Sequence, residues 1–200
     1  MGASRVLDPR SRPAPKPAPL LRALHEHGVE WVLSGSAVLV LHGADLRPND
    51  LDVVPSLEPA NLRRLAGVLL ELDAVPAHHP DWPGSPTLDQ CRAWTPEPPT
   101  AGRLDHLYVT RLGMVDVPPS LTGTYAELTR TASLVQLAGV PVQVCAPEAV
   151  LDRLPARPRQ KDLDRAEQYA AVRRALSRDR TPRAVPWFSE VGGGAPADLE

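Results

Sequence analysis

Two short stretches of the chain combine residue types that suit phosphate and metal chemistry. In Leu33-Ser34-Gly35-Ser36-Ala37 an apolar run ends in small residues. Small side chains let phosphate oxygens approach the backbone, and free N–H groups there attract anions. Ser36 adds a hydroxyl donor. Downstream, Asp50-Leu51-Asp52 leads into the apolar Val53-Val54. Side chains alternate along a strand, so Asp50 and Asp52 share one face. Two carboxylates that close repel one another unless a cation lies between them. Magnesium takes few protein oxygens and completes its shell with phosphate oxygens. A nucleoside triphosphate (NTP) with Mg²⁺ satisfies both stretches at once. Arg47, just ahead of the acidic pair, either clamps a phosphate or balances Asp45 and Asp50.

The elements that must position these residues follow from apolar spacing and from turn residues. Leu20 to His27 is predicted as a short helix ended by Gly28, and Val29–Leu33 as a strand. Ala37–Leu41 is a buried helical turn or two, and Leu51–Val54 a second strand. The stripe Leu62, Leu65, Val68, Leu69 and Leu72 predicts a helix over 61–72. Proline-rich residues 75–102 carry little pattern and are expected to form one long loop. Short strands are predicted at 104–110 and 114–117 around Leu112-Gly113. A second hairpin joins Ser133–Leu137 to Val140–Val144 around Ala138-Gly139. Pro147 opens a helix running toward Leu154, and Lys161 to about Ser177 is a charged helix. Lys161-Asp162 falls at its start, where Asp162 complements the helix dipole or serves a site. The fold class is therefore α+β (or α/β): a mixed β-sheet flanked by helices. Residues 1–19 read as a disordered proline-rich lead, 20–177 as the domain with a helical part at 147–177, and 178–200 as a flexible tail.

At this point the chain resembles a family. Gly35-Ser36 followed by Arg47-Pro48-Asn49-Asp50-Leu51-Asp52-Val53-Val54 looks like the signature of minimal nucleotidyltransferases. More specifically it is similar to the AbiEii-type nucleotidyltransferase-like proteins, which are toxins of toxin–antitoxin systems. Thr110-Arg111-Leu112-Gly113-Met114-Val115-Asp116-Val117 resembles the family hairpin that delivers a third carboxylate, ahead of Tyr125-Ala126-Glu127-Leu128. Val140–Val144, Pro147-Glu148 and Arg159-Gln160-Lys161-Asp162-Leu163 follow in the family's order.

The resemblance implies a nucleotidyltransferase fold with C-terminal helices. It implies that Asp50, Asp52 and Asp116 bind metal, two Mg²⁺ ions by analogy, while Gly35 and Ser36 hold the triphosphate. Asp116 would also orient or deprotonate the attacking hydroxyl. Lys161 and Asp162 would sit near the same cleft. The implied activity is transfer of a nucleotidyl group from an NTP to an RNA (tRNA) or protein acceptor, with a separate antitoxin as the implied partner. Modification of a small hydroxylated molecule such as an antibiotic is a second reading. A third is a catalytically impaired module that binds a nucleotide or a partner, because Leu151-Asp152-Arg153-Leu154-Pro155-Ala156-Arg157 lacks the lysine that family members often carry there.

Composition bounds these readings. The 200 residues carry a net charge of −2, which argues against a wholly basic nucleic-acid surface. Arginine outnumbers lysine heavily, only Lys16 and Lys161 being lysines, so single arginines say little. The ten basic and four acidic residues of 153–183 read as a solvated helix before they read as an RNA path. His78-His79 with Asp81 has no second ligand cluster and reads as a polar loop. Cys91 and Cys145 read as buried small hydrophobes in a reduced cytoplasm. No apolar run reaches the roughly 20 residues of a membrane span.

Overall fold

A computed structural model of the protein describes residues 7–78, 84, 86–93, 107–152, 160–183 and 185–189. Helix α1 (Pro17–Glu26) begins three residues before the expected start, because prolines at the first turn sacrifice no hydrogen bond. Its Leu20, Leu21 and Leu24 are buried. Strand β1 (Trp31–Leu33) runs into α2 (Gly35–Leu41), and β2 (Leu51–Pro55) into α3 (Pro59–Glu71). Every residue of β1 and β2 is buried, so both faces of the sheet's centre are covered.

Residues 75–102 are not one structureless loop. They contain β3 (Val75–Pro76), at the sheet's edge, and α4 (Leu88–Ala93). Val75, Ala77 and Cys91 form a small apolar cluster with Val109 and Met114, and that burial is what gives these short elements their reason to form. Next come β4 (Leu107–Thr110), β5 (Gly113–Asp116), α5 (Tyr125–Leu128), β6 (Ser133–Leu137), β7 (Val140–Val144) and α6 (Pro147–Leu151). The predicted helix from Lys161 is two helices, α7 (Gln160–Asp164) and α8 (Ala166–Leu176), broken at Arg165.

The seven strands form one mixed sheet in the order β3-β4-β5-β2-β1-β7-β6. Two neighbouring pairs are parallel, β1 with β7 and β2 with β5, and the rest are antiparallel. The main core joins α1, α3 and the central strands; a second cluster joins Leu39, Leu151, Tyr169, Val172 and Leu176 from α2, α6 and α8. This is the α+β architecture with a mixed sheet that the sequence predicts. Among the described residues no helix is long and apolar enough to cross a membrane.

Both ends of the chain depart from expectation where they are described. Residues 7–19 of the lead do not hang free: Lys16 N–H donates to the Leu112 carbonyl at 2.7 Å, and Pro15 packs so closely on Gly113 that a Cβ there would lie 2.3 Å from its Cα. In the tail, Arg183 N–H donates to the Leu41 carbonyl at 2.8 Å. A 3-10 turn at Pro186–Phe188 buries Phe188 in the main core. The burial of Phe188 and the main-chain bonds of Lys16 and Arg183 hold these stretches in place despite their prolines. Residues 1–6 and 190–200 lie outside the described part.

Candidate functional site

The acidic residues are brought together by strand register. In the parallel pairing of β2 with β5, Leu51 stands beside Val115 and Asp52 beside Asp116. Paired residues on adjacent strands project to the same side of a sheet. Asp50 precedes β2 by one residue and falls on the side of Asp52, as alternation predicts. Each of the three offers a carboxyl oxygen within 4.8 Å of the others. Asp50 and Asp116 are half-buried and Asp52 is 8% exposed.

Gly35 meets this cluster directly. It begins α2 with φ +64°, and a Cβ on it would lie 1.8 Å from Asp52 Oδ2. Only glycine fits, both for the backbone and for the space. The Ser36 backbone N–H donates to the Asp52 carboxyl group, and the Ser34 N–H donates to the Asp52 carbonyl at 3.1 Å. The turn that the sequence reads as an open phosphate cradle therefore already gives one amide to Asp52. Ser36 itself is half-buried.

Burial holds the Asp52 carboxyl group well above the ordinary carboxylate range, and the charges of Asp50 and Asp116 push in the same direction. Lys161 and the Ser36 amide oppose that shift. Asp52 is thus a buried acid short of positive charge. A divalent cation would relieve both the burial and the repulsion, and three carboxyl oxygens are the hard donors that Mg²⁺ prefers. On these grounds the residues present fit such an ion.

The remaining predicted residues divide. Lys161 is exposed on α7, close enough for its charge to act on Asp52. Asp162 beside it is buried at 5% exposure. Arg47 is exposed and joins no ion pair among the described residues, so the structure does not draw it to the aspartates. Of the basic stretch, Arg173 pairs with Asp152, Arg180 with Glu148 and Arg183 with Asp179. Arg153 and Arg159 lie outside the described residues, as do His79 and Asp81; His78 is exposed.

Sequence reasoning passed over a second group. The Ser34 hydroxyl, fully buried, lies 2.8 Å from Thr122 Oγ1, and Cys145 Sγ donates to it at 3.8 Å. Burial pushes the Cys145 thiol up to about 11, against the pull of the two hydroxyls. Its reading as a buried small hydrophobe fits this setting. The only sequence signal was Ser34 itself, a polar residue ending an apolar strand; nothing in the sequence singles out Thr122. Comparisons with known families, with curated proteins and with solved structures found no match to this chain.

Proposed function

We propose that the protein is a magnesium-dependent nucleotidyltransferase that moves a nucleotidyl group from an NTP to a hydroxyl of an RNA, tRNA in particular, or of a protein. The observation that carries this reading is the convergence of Asp50, Asp52 and Asp116 beside the Gly35-Ser36 turn. Magnesium held there, two ions by the analogy with minimal nucleotidyltransferases, would neutralise charge on the phosphates and steady the attacking and departing oxygens. The chain's own part is to orient the reactants. Asp116 accepts the proton of the acceptor hydroxyl as that oxygen bonds to the α-phosphorus and pyrophosphate departs. Ser36 and Lys161 contact the triphosphate. A growth-inhibiting toxin held by a cognate antitoxin would use the same chemistry.

A specific observation favours a second reading, a binding module with impaired catalysis. Asp52 occupies the Ser36 amide, and no lysine precedes Lys161 in the region of Asp152. Each of the four α-labelled triphosphates, offered with Mg²⁺ to total tRNA, to cell-extract protein and to hydroxylated antibiotics, separates the readings. We expect label on one acceptor, and its loss in Asp52→Ala. Triphosphate binding without pyrophosphate release would leave only the binding module standing.

A further inference from the structure

Ser34 occupies the residue before α2, the position from which a serine hydroxyl ordinarily accepts from the helix's first free amides. Here it makes no such bond. Its hydroxyl is turned to Thr122 at 2.8 Å, and the Ser36 amide goes to Asp52 instead. A hydroxyl and a carboxyl group cannot both have that amide without sharing it. By holding the Ser34 side chain, Thr122 leaves the amide to the acid.

Thr122 is itself firmly placed. It lies on the connection that follows Asp116, which starts with Val117 and Pro118, both buried. A bridge between Ser120 and Thr124 closes the connection around it. A capping box then fixes its far end: Thr124 N–H donates to Glu127 Oε2 at 2.8 Å, and Glu127 N–H to Thr124 Oγ1 at 3.3 Å. On the other side, Ser34 is pinned by its N–H to the Asp52 carbonyl, while Cys145 N–H donates to the Leu33 carbonyl at 3.0 Å. The Ser34–Thr122 bond thus ties the exit of the strand bearing Asp116 to the turn on which Asp52 leans.

We infer that Ser34 and Thr122 are a positioning pair for the acidic cluster, setting the approach of Asp116 to Asp52 and leaving the Ser36 amide to Asp52. The inference rests on the cation-binding part of the proposed function and adds to it two residues that touch neither metal nor substrate.

Mn²⁺ binding to the full chain, followed by the paramagnetic resonance of free ion, tests it without reference to activity. The wild type is expected to bind. Thr122→Val is expected to bind about tenfold more weakly while remaining folded, as loss of a partner that orients a ligand does. Thr122→Ser, which keeps the hydroxyl, should return to within about twofold of wild type. Ser34→Ala cuts the tie to the strand of Asp116 with little change of volume but leaves no hydroxyl to compete for the Ser36 amide, so it should weaken binding severalfold, less than Thr122→Val does, and it tests the pair even if Thr122→Val proves poorly folded. Wild-type affinity in folded Thr122→Val or in Ser34→Ala would overturn the inference and leave the cation site standing. A purely structural bond would show itself as a lower melting temperature at unchanged affinity, which also overturns it. Wild-type protein that binds no Mn²⁺ would instead remove the cation reading itself.

Discussion

Gly35 and Gly139 both sit in tight turns at the ends of β-strands, with φ of +64° and +82°. Their surroundings are opposite. A Cβ on Gly139 would meet nothing within 4 Å, whereas one on Gly35 would collide with Asp52. Gly139 is there for the backbone alone, closing the β6–β7 hairpin. Gly35 serves the backbone and also makes room for a buried acid. A turn between strands needs only the first condition. The second appears where the chain has to bring a carboxyl group against main-chain amides, and it marks the β1–α2 junction as built around Asp52.

The widest gap between the two regions should come from alanine at each glycine. Gly35→Ala incurs the left-handed backbone cost of about 1–2 kcal/mol and displaces Asp52 from the Ser36 amide, on the order of a further 1–3 kcal/mol for a buried polar group left without its partner. A loss of roughly 2–5 kcal/mol in urea unfolding is expected, together with loss of Mn²⁺ binding. If Gly35→Ala unfolds like Gly139→Ala, the contrast between the turns is broken.

Charge gives the next effect. Asp52 is held above its ordinary value of 3.8 in the folded chain. The folded state therefore binds a proton that the unfolded state has released, and the metal-free protein loses stability as pH rises from about 4 through the raised value. Asp179 works in the other direction: Thr181 and Arg183 hold it at about 2, so what it contributes is present above 3.8 and fades as pH falls toward 2. His42, lowered by burial, also opposes Asp52, favouring the fold as pH rises. The difference between wild type and Asp52→Asn isolates the acid. Without metal, Asp52→Asn should melt higher than wild type at neutral pH, and the gap should shrink as pH falls toward 4. Saturating Mg²⁺ should raise the melting temperature of wild type and leave Asp52→Asn unmoved, since loss of a ligand is expected to cost more than about 100-fold in affinity. An unchanged pH profile in Asp52→Asn would mean that the cluster carries no repulsion for a cation to relieve.

The two regions also differ in how far the sequence reveals them. The bounds of β6 and β7 follow from local pattern, alternation on either side of Ala138-Gly139, and the structure agrees to the residue. Asp50 and Asp52 are legible for the same reason, standing two residues apart at the entry to one strand. Asp116 is not, except through the resemblance to a known hairpin, because its place beside Asp52 depends on a parallel pairing between segments over sixty residues apart. Thr122 lies further out of reach: its partner Ser34 is 88 residues away and no spacing rule links them. The packing of Pro15 and Phe188 is hidden from the sequence because prolines signal the absence of regular structure, and only three-dimensional neighbours reveal it. Local order is written in periodicity; the site is assembled from contacts that periodicity does not encode.

The smallest effects belong to the hairpin and sharpen the contrast from its other side. Ala138 carries φ +51° beside Gly139, so both central residues of the two-residue loop are left-handed, the conformation that asparagine followed by glycine favours. Alanine there bears a strain that asparagine tolerates better. Ala138→Asn is expected to stabilise by about 0.5–1 kcal/mol, a rise of roughly 2 °C in melting temperature. Gly139→Ala should cost about 1 kcal/mol, from the backbone alone. Neither should alter Mn²⁺ affinity, because the hairpin reaches the acids only through β7 and β1. Coupling of either substitution to cation binding would show that the sheet transmits strain across those two strands, and the division between a turn set by the backbone alone and one built around Asp52 would have to be redrawn.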